Sequence, residues 1–189
     1  MLKLLASTCL CLFAATCFSE DGIESLPSPH YHRQAADPPW LRYAVQLHGH
    51  LGPMLTFGAR MGIAALHAVE AKGYFDVEIV CEGPLATTPA SCFLDGLQVT
   101  TGATLGKRNL QWVKSEKIVV HVKNTRTGKT ATLQPREQFL TLLPQPKTDA
   151  TAESKGGKPK QAEDEHHSED LARRIATMPE REILAISRP

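Results

Sequence analysis

The chain has 189 residues, 42% of them hydrophobic and 22% charged, and its 21 Lys and Arg against 20 Asp and Glu leave a formal net charge of +1. That length carries one well-buried domain with appendages. The balanced charge gives no electrostatic reason for a nucleic-acid or anionic-membrane partner.

The first residues are different in kind. A short basic start at Lys3 precedes an almost wholly apolar or small run over residues 4–18. The run is too short to span a bilayer comfortably and has the form of a signal-peptide core, so residues 1–19 are expected to direct export to a periplasmic or secreted location. A lipid anchor on Cys17 is the alternative, although Ala14-Ala15-Thr16 is a poor approach to such a cysteine. Export would remove Cys9, Cys11 and Cys17 and leave Cys81 and Cys92. In an oxidising compartment these two are either a disulfide or one packed thiol and one ligand.

Residues 20–36 are polar and proline-bearing and are expected to form an extended leader. His30-Tyr31-His32 lies within it, a histidine pair that reads as solvated more readily than as a metal site. A domain is expected over residues 37–143. Asp37-Pro38-Pro39-Trp40 is a helix start with Asp37 as the capping residue, and Leu41, Tyr43, Ala44, Val45 and Leu47 predict a short, mainly buried helix. It ends at His48-Gly49-His50-Leu51-Gly52-Pro53, where Gly49 permits a tight bend that aims both imidazoles. A second helix follows to about residue 71. Its small residues Gly58, Ala59, Gly62, Ala64 and Ala65 require that it approach another element closely.

Residues 74–82 alternate apolar and polar and predict a strand. Residues 91–100 predict a helix on which Cys92, Asp95 and Gln98, three apart, share one face. The loop Thr101-Gly102-Ala103-Thr104-Leu105-Gly106-Lys107 lacks one residue of a phosphate cradle, and Arg108 replaces the magnesium-binding hydroxyl, so it reads as a tight turn that offers Lys107 and backbone N–H groups to the site. Strands are predicted at 109–113, 117–124 and 130–134, the last two joined by a hairpin turn at 124–129, with a short helix after Pro135. Residues 144–167, rich in Lys, Glu, Pro and Gly, are expected to be a flexible linker in which Glu165-His166-His167 is solvated. Residues 168–189 predict a C-terminal helical tail.

His48, His50 and Cys92 are residue types that hold zinc or another borderline divalent ion as imidazole and thiolate, so they form the candidate metal site. Asp95 is a fourth ligand or the carboxylate that fixes an imidazole tautomer.

The blocks His48-Gly-His50-Leu-Gly-Pro53, Gly58-Ala-Arg-Met61-Gly62, Cys92-Phe-Leu-Asp95-Gly96-Leu-Gln98, Thr101 to Asn109 and Lys123 to Lys129 occur in an order that resembles the formylmethanofuran dehydrogenase FmdE family. The resemblance spans about residues 40–134, with a looser echo in the C-terminal helix. It implies an α+β fold, a mixed β-sheet with helices packed on it, similar to the C-terminal domain of glyceraldehyde-3-phosphate dehydrogenase. It also implies a homodimer and a metal, often zinc, near the His-Gly-His corner. Many members read His-Gly-His-x-Cys-Pro there, whereas Gly52 stands at that cysteine position in this chain. Many members also end in a cysteine-rich zinc ribbon, whereas this sequence has no cysteine after Cys92.

The function these features predict is an exported metal-binding protein, a carrier or sensor of a divalent metal or metal complex. The alternatives are a metal-dependent enzyme with an open coordination position, Asp95 as general base and Lys107 steadying an anion, or a structural dimeric module.

Overall fold

A computed structural model describes residues 26–84, 89–143 and 158–189. The expected signal peptide and most of the expected linker lie outside them. Among the described residues no helix is long and apolar enough to cross a membrane.

Period-two alternation in short β-branched runs produces the sheet. Strands β1 (Val77–Gly83), β2 (Leu110–Lys114), β3 (Val119–Asn124), β4 (Thr130–Pro135) and β5 (Leu184–Ser187) pair in the order β2-β1-β3-β4-β5. β1 and β2 are parallel, joined through a helical crossover, and the remaining pairs are antiparallel. Val77, Ile79, Cys81, Val120, Val122, Ala131 and Leu133 point to the buried face, where helices cover them. The opposite face carries Glu78, Glu82, His121 and Lys123. One covered and one solvated face is what a largely antiparallel sheet permits. The fold is α+β with a mixed sheet, as expected.

Helices α1 (Pro39–His48), α2 (Pro53–Val69) and α3 (Cys92–Thr101) build the other layer. Met54, Phe57, Met61, Ala65 and Val69 of α2 and Phe93 and Leu97 of α3 fill the main core against the sheet. A second cluster of Leu41, Ala44, Val45, Leu51, Leu55 and Ala172 seats α1. The small residues of α2 meet α3, backbone against backbone. A Cβ on Gly58 would lie 2.0 Å from the Phe93 carbonyl oxygen, and one on Gly96 would lie 2.0 Å from that of Leu55.

Several elements depart from the predicted ones. Tyr43 and Leu47 are exposed, so α1 buries one stripe rather than most of its surface. Asp37 does not cap α1. Instead it accepts the Gln34 N–H at 2.8 Å, the Tyr31 hydroxyl, and Arg173 Nε at 2.9 Å. Residues Tyr74–Asp76 form a 3₁₀ turn, and the strand begins only at Val77. After the short α4 (Glu137–Leu140), helix α5 (Lys158–Thr177) starts inside the stretch read as linker. The tail then makes a single helical turn, α6 (Glu180–Ile183), before β5 joins the sheet.

The leader is docked as well. His30 N–H donates to the Gly49 carbonyl at 2.7 Å, and Glu169 of α5 accepts the His32 N–H at 3.1 Å. Arg173 closes the joint by binding Asp37, Glu169 Oε2 at 3.1 Å and the His32 carbonyl. Arg173 is 14% exposed, and Asp37 and Glu169 are 6% exposed each. Burial alone would raise both carboxyls, yet hydrogen bonds from Tyr31, Gln34, His32 and Arg173 hold them below the ordinary carboxylate range.

The α2–α3 contact leaves no room for a methyl group. Gly96→Ala would place its Cβ against the backbone of Leu55 and Ala59, and is expected to cost about 3 kcal/mol. Gly106→Ala, whose Cβ would meet nothing nearer than 3.9 Å, is expected to stay within about 0.5 kcal/mol of the parent. Urea unfolding of both variants measures the difference.

Candidate functional site

The site grows from the bend between α1 and α2. Gly49 takes φ +95° and closes α1 with its N–H on the Val45 carbonyl at 2.7 Å. That left-handed residue is needed because the chain must turn at once into Pro53, the first residue of α2. The rings of His48 and His50 are thereby set side by side, with centroids 4.6 Å apart and planes tilted by 43°.

From the facing helix α3, Asp95 reaches the first of these rings. His48 Nδ1 lies 2.6 Å from Asp95 Oδ2. The carboxylate can only accept, so Nδ1 carries the proton and Nε2 holds the lone pair whenever the imidazole is neutral. Nε2 is fully buried and has no hydrogen-bond partner. Cys92, the first residue of α3, is near enough that its thiol perturbs the imidazole, second only to Asp95, although its geometry does not make it a hydrogen-bond partner of Nε2. Together they push the His48 pKa up to about 9 against the opposing effect of burial. His50 moves the other way. Lost hydration is the main cause, followed by the charges of His48 and His30, and Glu165 only partly offsets them.

His48, His50, Cys92 and Asp95 are therefore brought to one corner. They do not stand as a closed cage: among the described residues no group of three or more His, Cys, Asp or Glu side chains is arranged to hold a metal ion. The donor chemistry nevertheless suits one. Asp95 fixes the imidazole from behind, and the other nitrogen is dry and unpaired, the relation that carboxylate, histidine and metal adopt in zinc sites.

Lys107 is not brought to the corner. It follows the far end of α3, roughly 15 Å of helix away from Cys92, with Nζ 5.8 Å from the Phe75 ring centroid. The turn before it spends the Thr104, Lys107 and Arg108 N–H groups internally. Thr104 N–H donates to Asn109 Oδ1, Lys107 N–H to Thr104 Oγ1, and Arg108 N–H to the Leu105 carbonyl. Gln98 sits two turns along α3 from Cys92, and its carbonyl accepts the Gly102 N–H that ends the helix. Cys81 is buried on the core face of β1, its thiol pushed up to about 12 by burial and then by Glu82. Cys81 and Cys92 are both free thiols, which removes the disulfide alternative.

Gly52 raises the question of the cysteine that other family patterns place there. Its φ of −140° is ordinary extended backbone. A Cβ there would make van der Waals contact with His50 Nε2 at 3.4 Å. A Cβ is therefore accommodated beside His50.

The ion pair between His48 and Asp95 ties stability to pH. The folded value near 9 exceeds the ordinary 6.5, so the pair stabilises the metal-free fold fully below about 6.5, and the contribution fades as pH rises through 9. In Asp95→Asn the His48 imidazole is expected to titrate well below 9, with only Cys92 left to raise it against burial, as read from its ring proton shifts by NMR. A value still near 9 would show that Asp95 is not the main cause.

Comparison with known proteins gives a consistent placement. The family model described as "FmdE, Molybdenum formylmethanofuran dehydrogenase operon" matches residues 47–185, and so includes α5 and the start of β5 beyond the blocks read in the sequence. No curated protein matches the chain. Among solved structures, a tungsten formylmethanofuran dehydrogenase FmdE-like protein from Syntrophus aciditrophicus shares the fold at TM-score 0.50 and 15% identity, over 83% of this chain and 75% of that one. The mixed sheet, the His-Gly-His corner and a family match over most of its length place this chain in the FmdE family.

Proposed function

We propose that this is an exported FmdE-type protein whose corner binds a divalent metal ion, zinc by the chemistry of its donors, as a carrier or sensor of that ion or of a metal complex. The observation that carries the reading is His48 Nε2, a buried nitrogen with no partner behind a carboxylate-anchored ring. Such a group costs free energy that coordination recovers. His48, His50 and Cys92 would hold the ion, and Asp95 would keep the His48 tautomer. A three-ligand zinc retains an open position and supplies Lewis acidity when bound. Asp95 is committed to His48, which favours an orienting role over that of a general base, and so favours binding over catalysis.

Metal content of the purified protein, with His48→Ala and Cys92→Ser beside it, tests the proposal. The parent is expected to hold about one ion per chain more than either variant; equal content in all three would sink the idea. Because the imidazole holds its proton up to about pH 9, zinc uptake at pH 7 is expected to release it, and affinity is expected to rise between pH 7 and 9. Gly52→Cys is expected to tighten zinc binding by adding a thiolate.

A homodimer belongs to the same proposal. β2 is an edge strand, and its Trp112 and Val113 are exposed, which makes it a seam for a second copy. Val113→Lys is expected to turn a sedimenting dimer into a monomer.

A further inference from the structure

Two short histidine runs, far apart in the chain, meet on the surface beside the corner. His30 and His32 come from the leader, and His166 comes from α5. The His30 and His32 ring centroids are 5.8 Å apart. Those of His32 and His166 are 4.8 Å apart. Glu165 adds a carboxylate oxygen 3.9 Å from His30 Nδ1. We propose that His30, His32 and His166, with Glu165 beside them, form a second metal site, for a borderline divalent ion such as Zn²⁺, Ni²⁺ or Cu²⁺.

The spacing is the first support. Zinc–nitrogen bonds of about 2.0–2.1 Å at a tetrahedral angle put the centroids of two coordinating imidazoles roughly 5 Å apart. The two observed separations bracket that value. The second support is the way His32 is held. Its Nδ1 lies 3.2 Å from Glu169 Oε1, and the same carboxylate oxygen accepts the His32 backbone N–H at 3.1 Å. Glu169 is itself buried and bound by Arg173. The carboxylate therefore assigns the Nδ1 proton and presents Nε2 as the donor, as Asp95 does for His48. The third support is pre-positioning. Residues 30–32 are tied down, because His30 pairs with the corner backbone and Arg173 grips the His32 carbonyl.

The rings are not closed on a common point, as the lack of a ready-made cage among the described residues requires. His30, 70% exposed in its side chain, and His166, also exposed, can turn about their side-chain bonds toward the His32 ring that Glu169 holds, without disturbing the core. Imidazole donors with one carboxylate select borderline ions over Mg²⁺ or Ca²⁺, which take oxygen. The site shares no ligand with the corner, so it stands whether or not the corner binds metal.

The test uses the full metal-free chain carrying His48→Ala and Cys92→Ser, titrated with Zn²⁺ by calorimetry. One equivalent is expected to bind. Adding His30→Ala or His166→Ala is expected to weaken that binding at least tenfold, whereas adding His67→Ala, on α2 outside the cluster, is expected to leave it unchanged. Thermal unfolding confirms that each variant remains folded, which exposed positions favour. Substoichiometric Ni²⁺ is expected to broaden the imidazole signals of His30, His32 and His166 first. No zinc bound in the corner-disabled chain, or binding indifferent to His30 and His166, would overturn the site. Equal stoichiometry in the parent and the corner-disabled chain would instead overturn the corner reading and leave this one standing.

Discussion

The closeness of α2 to α3 governs the rest of the molecule. Helices ordinarily pack 8–10 Å apart, the distance set by the side chains between them. Here Gly58 and Gly96 remove those side chains at the crossing, and each backbone meets the other's carbonyl oxygens. α2 begins where the His-Gly-His bend ends, and α3 begins with Cys92 and carries Asp95 one turn on. The separation of the two helices thus sets whether Asp95 reaches His48. A core contact that looks purely structural decides the chemistry of the corner.

A second constraint comes from burying charge. Arg173 is enclosed with two carboxylates, so the joint between leader and α5 carries more negative than positive charge. Coulombic attraction alone seldom balances the loss of water around such groups. The joint holds because nearly every oxygen finds a donor: the Tyr31 hydroxyl, the Gln34 and His32 N–H groups and both ends of the guanidinium. Acid works against it, since protonating Asp37 or Glu169 removes the acceptor that the other groups are built around. Residues 26–36, which read as a polar extension, are in this way made a wall of the domain.

What could be read in the sequence was whatever depends on near neighbours. A bend at Gly49, a helix stripped of side chains, and Cys92 and Asp95 on one helical face all follow from spacing within a few residues. The ordered family blocks carried the fold class. What could not be read depends on distant partners. Asp37 has the form of a helix cap, and only the arrival of Arg173 and Tyr31 gives it a different use. Lys107 sits in a glycine-bearing turn that invites an anion, yet its own N–H and that of Thr104 are bound to Thr104 and Asn109. Asn109 and Asn124, inside blocks that resemble the family, serve backbone groups: Asn109 spans to the Tyr74 and Val77 carbonyls, and Asn124 to those of Val69 and Glu70. β5 has only four residues, too few to show a period, and four residues of pairing to β4 make it a strand. The histidine runs at 30–32 and 165–167 say little apart and become informative only once they touch.

The placement of α5 and β5 has a consequence for how the chain is made. Ile175, Ile183 and Leu184 belong to the main core, Ala172 to the cluster that seats α1, and β5 borders the sheet. These residues leave the ribosome after everything they pack against. Until they emerge, β4 lacks its neighbour and residues 30–37 have no Arg173 to bind, so the nascent polypeptide cannot close its interior before these elements are made. A domain whose core waits for α5 and β5 stays open, with β4 unpaired on one side, until they arrive.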